Sequence, residues 1–76
     1  MTKSRDYWTQ QRPDGSWETK REGADRAAAV TATQAEAWAR NKELAKHSGG
    51  EAFLKGRDGL IRERNSYGDD PYPPKG

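Results

Sequence analysis

Aromatic, β-branched and alternating apolar residues occur in short runs along the chain, and this pattern predicts β-strands. The predicted strands are Tyr7–Arg12, Trp17–Arg21, Glu51–Lys55 and Leu60–Arg64. Pro13-Asp14-Gly15 supplies a turn within the first pair, and Gly56-Arg57-Asp58-Gly59 supplies one within the second. Asp-Gly favours a type I′ turn in the second pair. The chain is therefore predicted to form two β-hairpins.

A helix is predicted between the hairpins. Thr33 and Glu36 have the spacing of a capping box, which marks the helix start. The helix is expected to run over residues 34–47 and to end at Ser48-Gly49-Gly50, because glycine readily adopts the left-handed cap conformation. Trp38 and small or aliphatic residues share one side of this helix, so that side should pack on a sheet.

The segment 22–32 has no clear pattern. Its alanines fit either a short helical turn or a packed loop, and Val30 is expected to be anchored in the core. The predicted core residues are Trp17, Val30, Trp38, Leu44, Leu54 and Ile61.

These elements predict an α+β fold in the order β-β-α-β-β. The simplest packing is an antiparallel-rich sheet of two hairpins with one helix on one face. A single domain should span residues 7–66, after a flexible N-terminus over residues 1–6. Residues 67–76 form a tail rich in proline and aromatic residues, expected to pack on the domain.

Composition suggests that this small domain has a thin core. Only 30% of its 76 residues are hydrophobic, although there are three Trp, three Tyr and one Phe. Large rings bury much area per residue, and a partner or a second copy of the chain could complete the core. The net charge is +2 and no segment concentrates the cations, so composition gives weak support for nucleic-acid binding.

The sequence predicts a cytoplasmic protein without disulfides. It has no cysteine. No apolar run is long enough to cross a bilayer, and the N-terminus does not have the pattern of a signal peptide.

Candidate catalytic groups are few. His47 is the only histidine, and it lies at the predicted helix end, where a histidine exposed to solvent is a simpler explanation than a metal ligand. Ser48 follows it directly, but adjacent residues on a helix do not face each other. Asp69 and Asp70 lie in the tail with no apolar wall to raise a pKa. We therefore expect no enzyme activity, no cofactor and no metal.

Binding residues are predicted on the last strand and in the tail. Arg62 and Arg64 alternate, so they should share a strand face, which Lys55 or Lys20 could join. Such a face could be an ordinary solvated surface, bind nucleic acid or bind protein. Tyr67, Tyr72 and the prolines between and after them are expected to pack back over Trp8 or an exposed sheet edge, in the same chain or a second copy. The alternative is that this tail docks on a partner.

The combined sequence motifs resemble domain of unknown function 2188, a family of small bacterial proteins. The resemblance rests on Pro13-Asp14-Gly15, Trp17, Lys20-Arg21-Glu22-Gly23-Ala24, Thr33-Gln34-Ala35-Glu36-Ala37, Gly56-Arg57-Asp58-Gly59, Ile61 through Gly68, Asp70-Pro71 and Pro73-Pro74-Lys75-Gly76. Members also occur in phage genomes, so the resemblance suggests a bacterial or phage accessory protein. The family has no assigned catalytic residues, so the resemblance transfers none to this chain.

The resulting functional hypothesis is a non-enzymatic binding module that acts through protein–protein contacts, with a homodimer as one form. The alternative is a weak nucleic-acid-binding domain that uses a basic sheet face. The predicted partner-binding residues are Trp8, Arg62, Arg64, Tyr67 and Tyr72.

Overall fold

A computed structural model describes residues 5–67 as one helix packed on a mixed sheet. The elements are β1 (Tyr7–Gln11), β2 (Trp17–Arg21), β3 (Ala29–Thr31), α1 (Gln34–Ser48), β4 (Glu51–Lys55) and β5 (Ile61–Ser66). The α+β class is therefore confirmed. In the described part of the chain no helix is both long and apolar enough to cross a membrane.

The sheet has five strands in the order β3-β2-β1-β4-β5. Both hairpins form as antiparallel pairs, and β3 adds to the outer edge of β2. The hairpins meet where β1 lies parallel to β4. The predicted β-β-α-β-β order is therefore incomplete, because it omits β3 and the parallel pairing. The helix between the hairpins reverses the chain, which lets β4 run in the same direction as β1.

The two hairpin turns have the same construction. Arg12 N–H donates to the Ser16 carbonyl, and Gly56 N–H donates to the Leu60 carbonyl. Each three-residue loop ends in a glycine with φ near the left-handed region, 93° at Gly15 and 83° at Gly59. No non-glycine residue among those described has a positive φ, which rules out the expected type I′ turn at Asp58-Gly59. A type I turn followed by a left-handed glycine accounts for both loops.

The helix begins and ends as the capping pattern predicts. Glu36 N–H donates to the Thr33 hydroxyl at 3.2 Å, and Gly49 is the left-handed cap residue with φ 77°. The buried helix residues are Ala37, Trp38, Asn41 and Ala45. Three of these are apolar and lie against the sheet, which gives the one-sided packing that the sequence predicts.

The buried hydrophobic residues are only partly those predicted, because Ala37, Ala45 and Ala52 are buried in place of three larger side chains. Trp17, Trp38 and Leu54 are buried as expected, whereas Leu44 is only half-buried. Val30 is 52% exposed, so its predicted core position is wrong. It lies opposite Glu18 on an edge strand, on the side of the sheet away from α1.

Ile61 is also wrongly predicted as a core residue, since it is 56% exposed. It pairs with Lys55 at the start of β5, where the strand register shifts. β5 forms the edge of the sheet, and all six of its residues are exposed. Edge position and register together leave Ile61 without a helix above it.

A layer of buried polar side chains joins α1 to the centre of the sheet. The Thr19 hydroxyl donates to the Ala37 carbonyl at 2.7 Å, and the hydroxyl oxygens of Thr9 and Thr19 lie 2.8 Å apart in a hydrogen bond. The Thr9 oxygen in turn accepts from Asn41 Nδ2 at 2.9 Å. Asn41 Nδ2 also lies 3.2 Å from the carbonyl oxygens of Tyr7 and Phe53. This layer fixes how β1 sits beneath the helix.

Candidate functional site

The face of the sheet away from α1, here called the open face, has no second layer among residues 5–67. Strand alternation places Thr9 and Thr19 under the helix, so their neighbours Trp8 and Lys20 point to the open face. On β4, Ala52 and Leu54 are buried and Phe53 is only half-buried. The open face is therefore where side chains of the central strands meet solvent.

Strand register aligns four open-face residues in one line across the sheet. Trp8 pairs with Lys20 on one side and with Phe53 on the other. Phe53 then pairs with Arg64. We call this line, Lys20–Trp8–Phe53–Arg64, the central row. It places two aromatic rings between two cations.

The two rings of the central row stack on each other. Their centroids are 4.2 Å apart and their planes differ by 16°. Lys55 Nζ lies 5.2 Å from the centroid of the Trp8 ring, within the range of a cation–π contact. Trp8 Nε1–H donates to Glu22 Oε1 at 3.0 Å. The stack is therefore held in a defined orientation and not loosely placed on the surface.

Acidic side chains balance the cations around the stack. Glu18 accepts from Gln10 Nε2 at 2.7 Å and forms an ion pair with Arg12 at 3.7 Å. Glu51 accepts from the Ser66 hydroxyl at 3.2 Å. The cations at the open face are Arg12, Lys20, Lys55 and Arg64, and the acids are Glu18, Glu22 and Glu51. An aromatic centre thus lies within a rim of mixed charge.

The comparison with known families matches residues 7–67, almost all of the described chain, to a family described as an uncharacterized protein conserved in bacteria, DUF2188. The chain belongs to the DUF2188 family. No curated protein and no solved structure matches it significantly.

Among the binding residues predicted for this DUF2188 chain, two lie in the central row. Trp8 and Arg64 are both there, separated by Phe53. Arg62 is the extra residue between the pairs Leu54–Glu63 and Lys55–Ile61, so the strict alternation expected to place it with Arg64 is interrupted there.

The aromatic residues of the tail lie apart from this site or outside the described chain. Tyr67 packs against the buried cluster that contains Trp38 and Leu54, on the helix side of the sheet. Its backbone N–H donates to the Gly50 carbonyl at 3.0 Å. Tyr72 lies outside the described residues, as do Asp69 and Asp70.

Sequence reasoning missed Phe53 and Glu22 as members of the DUF2188 surface. Phe53 lies in a predicted strand next to Leu54. Because neighbouring residues of a strand face opposite sides and Leu54 is buried, Phe53 faces the other side of the sheet. Glu22 follows β2 and reaches the Trp8 indole through a contact between positions 14 residues apart. No local sequence pattern marks such a contact.

The groups considered for catalysis do not assemble into a reactive set within residues 5–67. His47 is exposed at the end of α1. The Ser48 hydroxyl lies 2.7 Å from the Arg5 carbonyl and 3.1 Å from the Ala45 carbonyl, so it is engaged by the backbone. No group of three or more potential metal ligands occurs in this part of the chain.

Proposed function

We propose that this DUF2188 chain is a non-enzymatic binding module that holds a partner protein on its open face. The observation that supports the proposal is the central row, in which a stacked Trp8–Phe53 pair is surrounded by charged side chains. Interfaces between proteins commonly have an aromatic centre and a polar rim, and tryptophan and arginine are frequent among their strongest contacts.

The charge of the open face favours a protein over a nucleic acid. Its four cations face three acids, an excess of a single positive charge, whereas binding of a phosphate backbone draws on a large surplus of positive charge. The Trp8 ring is also stacked on Phe53 on one side and approached by Lys55, so little of its face is free for a base.

The experiment uses site-specific photo-crosslinking in a native bacterial host. A photoreactive amino acid replaces Lys20 or Arg64 on the open face, and the matched control replaces the exposed helix residue Lys46. We expect the two open-face positions to crosslink one protein, which can be a second copy of the chain, and Lys46 to give no such product. Equal crosslinking from all three positions would contradict the proposal.

A direct binding measurement then follows with the purified partner. Converting Lys20 and Arg64 together to glutamate reverses the charge at both ends of the central row and leaves the buried core residues unchanged. We expect at least about tenfold weaker binding, since each lost interfacial charge contact costs on the order of 1–3 kcal/mol. Circular dichroism confirms that the variant is folded.

The nucleic-acid alternative is favoured by one observation, the cations Lys20 and Arg64 at the two ends of the central row, beside its aromatic stack. It predicts that a fluorescent single-stranded oligonucleotide binds at low salt, with a steep loss of affinity as salt rises. If the same double charge reversal abolished this binding, the partner of the open face would be identified as a nucleic acid and not a protein. Unchanged anisotropy at low salt would exclude the alternative.

A further inference from the structure

A second surface lies at the end of the sheet where the helix begins, and we call it the end groove. It is formed by the β1–β2 turn region, the start of α1 and the β4–β5 turn. Its lining includes Trp17, Arg57, Asp58, Leu60, Ile61 and Arg62. None of these belongs to the central row.

The end groove exposes aliphatic surface. Leu60 is 67% exposed and Ile61 is 56% exposed. Both are large hydrophobic residues, and Trp17, which is only 4% exposed, lines the same groove. Neighbouring exposed aliphatic residues in a concave site are typical of a surface that receives an apolar side chain.

Two arginines on this groove lack an acidic partner within residues 5–67. Arg57 and Arg62 are exposed and form no ion pair with any described carboxylate. Asp58 is the acid that lines the groove; it accepts the Leu60 N–H at 3.0 Å, and its single negative charge offsets only one of the two arginines. The groove therefore has positive charge that the described structure does not neutralise.

The aliphatic stem of Arg62 has a defined position. A Cβ built on Gly56 would lie 2.9 Å from Arg62 Cδ and 3.2 Å from Arg62 Cγ, so the stem passes directly over the glycine. Gly56 itself is buried. This packing holds the guanidinium group at the groove, where its planar donor set can bind a carboxylate in two places.

We propose that the end groove binds a peptide segment of a partner protein in which a carboxylate side chain is next to an aliphatic side chain. The aliphatic group contacts Leu60 and Ile61, and the carboxylate pairs with Arg57 and Arg62. Charge complementarity selects the acidic peptide, and the exposed aliphatic pair selects its apolar neighbour. This inference does not rest on the function proposed for the open face.

The experiment is a titration of the ¹⁵N-labelled full chain followed by NMR. The probe is the end-blocked synthetic peptide Glu-Asp-Leu-Leu-Asp-Glu. The matched controls are the same peptide with glutamine and asparagine in place of the acids, and the same peptide with glycine in place of leucine. The signals followed are the Nε–H groups of Arg57 and Arg62 and the backbone amides of Leu60 and Ile61.

We expect saturable shifts of these signals with the acidic leucine peptide and about tenfold weaker binding with either control peptide. Converting Arg57 and Arg62 to glutamine should weaken binding of the acidic peptide by a similar factor. Arg64→Gln on the central row should leave the affinity for this peptide unchanged. Gly56→Ala should also weaken binding, because the added methyl displaces the Arg62 stem.

Three outcomes would overturn the proposal. One is the absence of saturable shifts at millimolar peptide. Another is equal binding of the glycine control, which would show attraction by charge alone. The third is stronger binding of an oligothymidylate to the same arginine signals, which would identify phosphate as the ligand.

Discussion

At the scale of single residues, the side-chain amide of Asn41 connects α1 to both strands of the parallel pair. It is fully buried and its Nδ2 lies within 3.2 Å of three acceptors, on Tyr7, Thr9 and Phe53. Its Oδ1 is buried without a hydrogen-bond partner in the described structure. The hydrogen bonds that Nδ2 donates therefore fix the position of the Asn41 side-chain amide.

We predict that Asn41→Ala lowers the free energy of unfolding by about 2–3 kcal/mol, because buried acceptors on β1 and β4 lose their donor. Urea denaturation followed by tryptophan fluorescence measures the change. The exposed helix substitution Lys46→Ala serves as control and should cost less than about 0.5 kcal/mol. If Asn41→Ala lowered the free energy of unfolding no more than Lys46→Ala does, a structural role for the polar layer would be contradicted.

The titration of Asp14 is changed by its neighbour Ser16. The hydroxyl of Ser16 donates to Asp14 Oδ1 at 2.6 Å and the Ser16 backbone N–H donates at 2.9 Å. These hydrogen bonds favour the carboxylate and hold the pKa of Asp14 below its usual value. The associated stability is present above the unfolded-state pKa and is lost as pH falls through the folded-state pKa.

We predict that Ser16→Ala raises the pKa of Asp14 towards its usual value, because the hydroxyl donor is the largest cause of the shift. A ¹³C-detected NMR titration of the Asp14 carboxyl measures it. Ser66→Ala, which removes a hydroxyl that donates to Glu51, leaves the Asp14 environment intact and is the control. An unchanged Asp14 titration in Ser16→Ala would exclude the hydroxyl as the cause.

At the scale of elements, the features predicted from sequence are those coded locally. Thr33 and Glu36 mark the helix start, and Pro13-Asp14-Gly15 marks a turn, because each motif makes its hydrogen bonds within a few residues. The parallel pairing of Tyr7 with Ala52 joins positions far apart in the chain. Strand pairing at that distance leaves no local pattern.

The same reasoning explains the errors in the predicted core and site. Val30 has a side chain suited to burial, but the pairing of β3 with β2 decides which face it occupies. The central row likewise exists only because three strand registers bring Lys20, Trp8 and Arg64 into line with Phe53. Sequence alternation indicates that a residue faces outward, but not which outward residues are neighbours.

The connection between α1 and β4 also depends on a close approach of two segments. A Cβ on Gly50 would collide with the carbonyl group of Arg5, and Gly50 is buried. We predict that Gly50→Ala lowers the free energy of unfolding by about 1–3 kcal/mol, since backbone must shift to admit the methyl group. Thermal or urea denaturation measures the loss.

The control for this substitution is Gly23→Ala. Gly23 has a φ of 83°, and nothing lies within 4 Å of a Cβ added there. Its substitution by alanine therefore strains the backbone but causes no collision with another segment. We expect Gly50→Ala to shift the amide signals of Asp6 and Tyr67, and Gly23→Ala to leave the Tyr67 amide in place. The same amide shifts in both variants would contradict the collision at Gly50.

At the scale of the whole molecule, the edge of the sheet formed by β5 is charged. β5 presents all six of its residues to solvent, and Arg62, Glu63 and Arg64 occupy its middle. Charged side chains on an edge strand oppose pairing with the edge of another molecule. The charges of β5 therefore help to keep separate copies from joining their sheets.

We predict that replacing Arg62 and Arg64 together by valine causes concentration-dependent self-association, because the edge becomes a β-favouring apolar strand. Light scattering and thioflavin T fluorescence measure it. The control replaces Arg40 and Lys46 by valine, which removes the same charge from exposed positions on α1. Equal association of both variants would show that net charge, and not the strand edge, limits assembly.

The junction at Gly50 has a consequence for how this domain can be connected to other chains. The Arg5 carbonyl lies against Gly50, and the Tyr67 N–H donates to the Gly50 carbonyl, so both ends of the described segment reach the same place. Domains whose ends lie together tolerate circular permutation and insertion into a host loop. A short linker could join the two ends, and new termini could open at the Pro13-Asp14-Gly15 loop. Inserted into a surface loop, the domain would leave the flanking residues of its host close together.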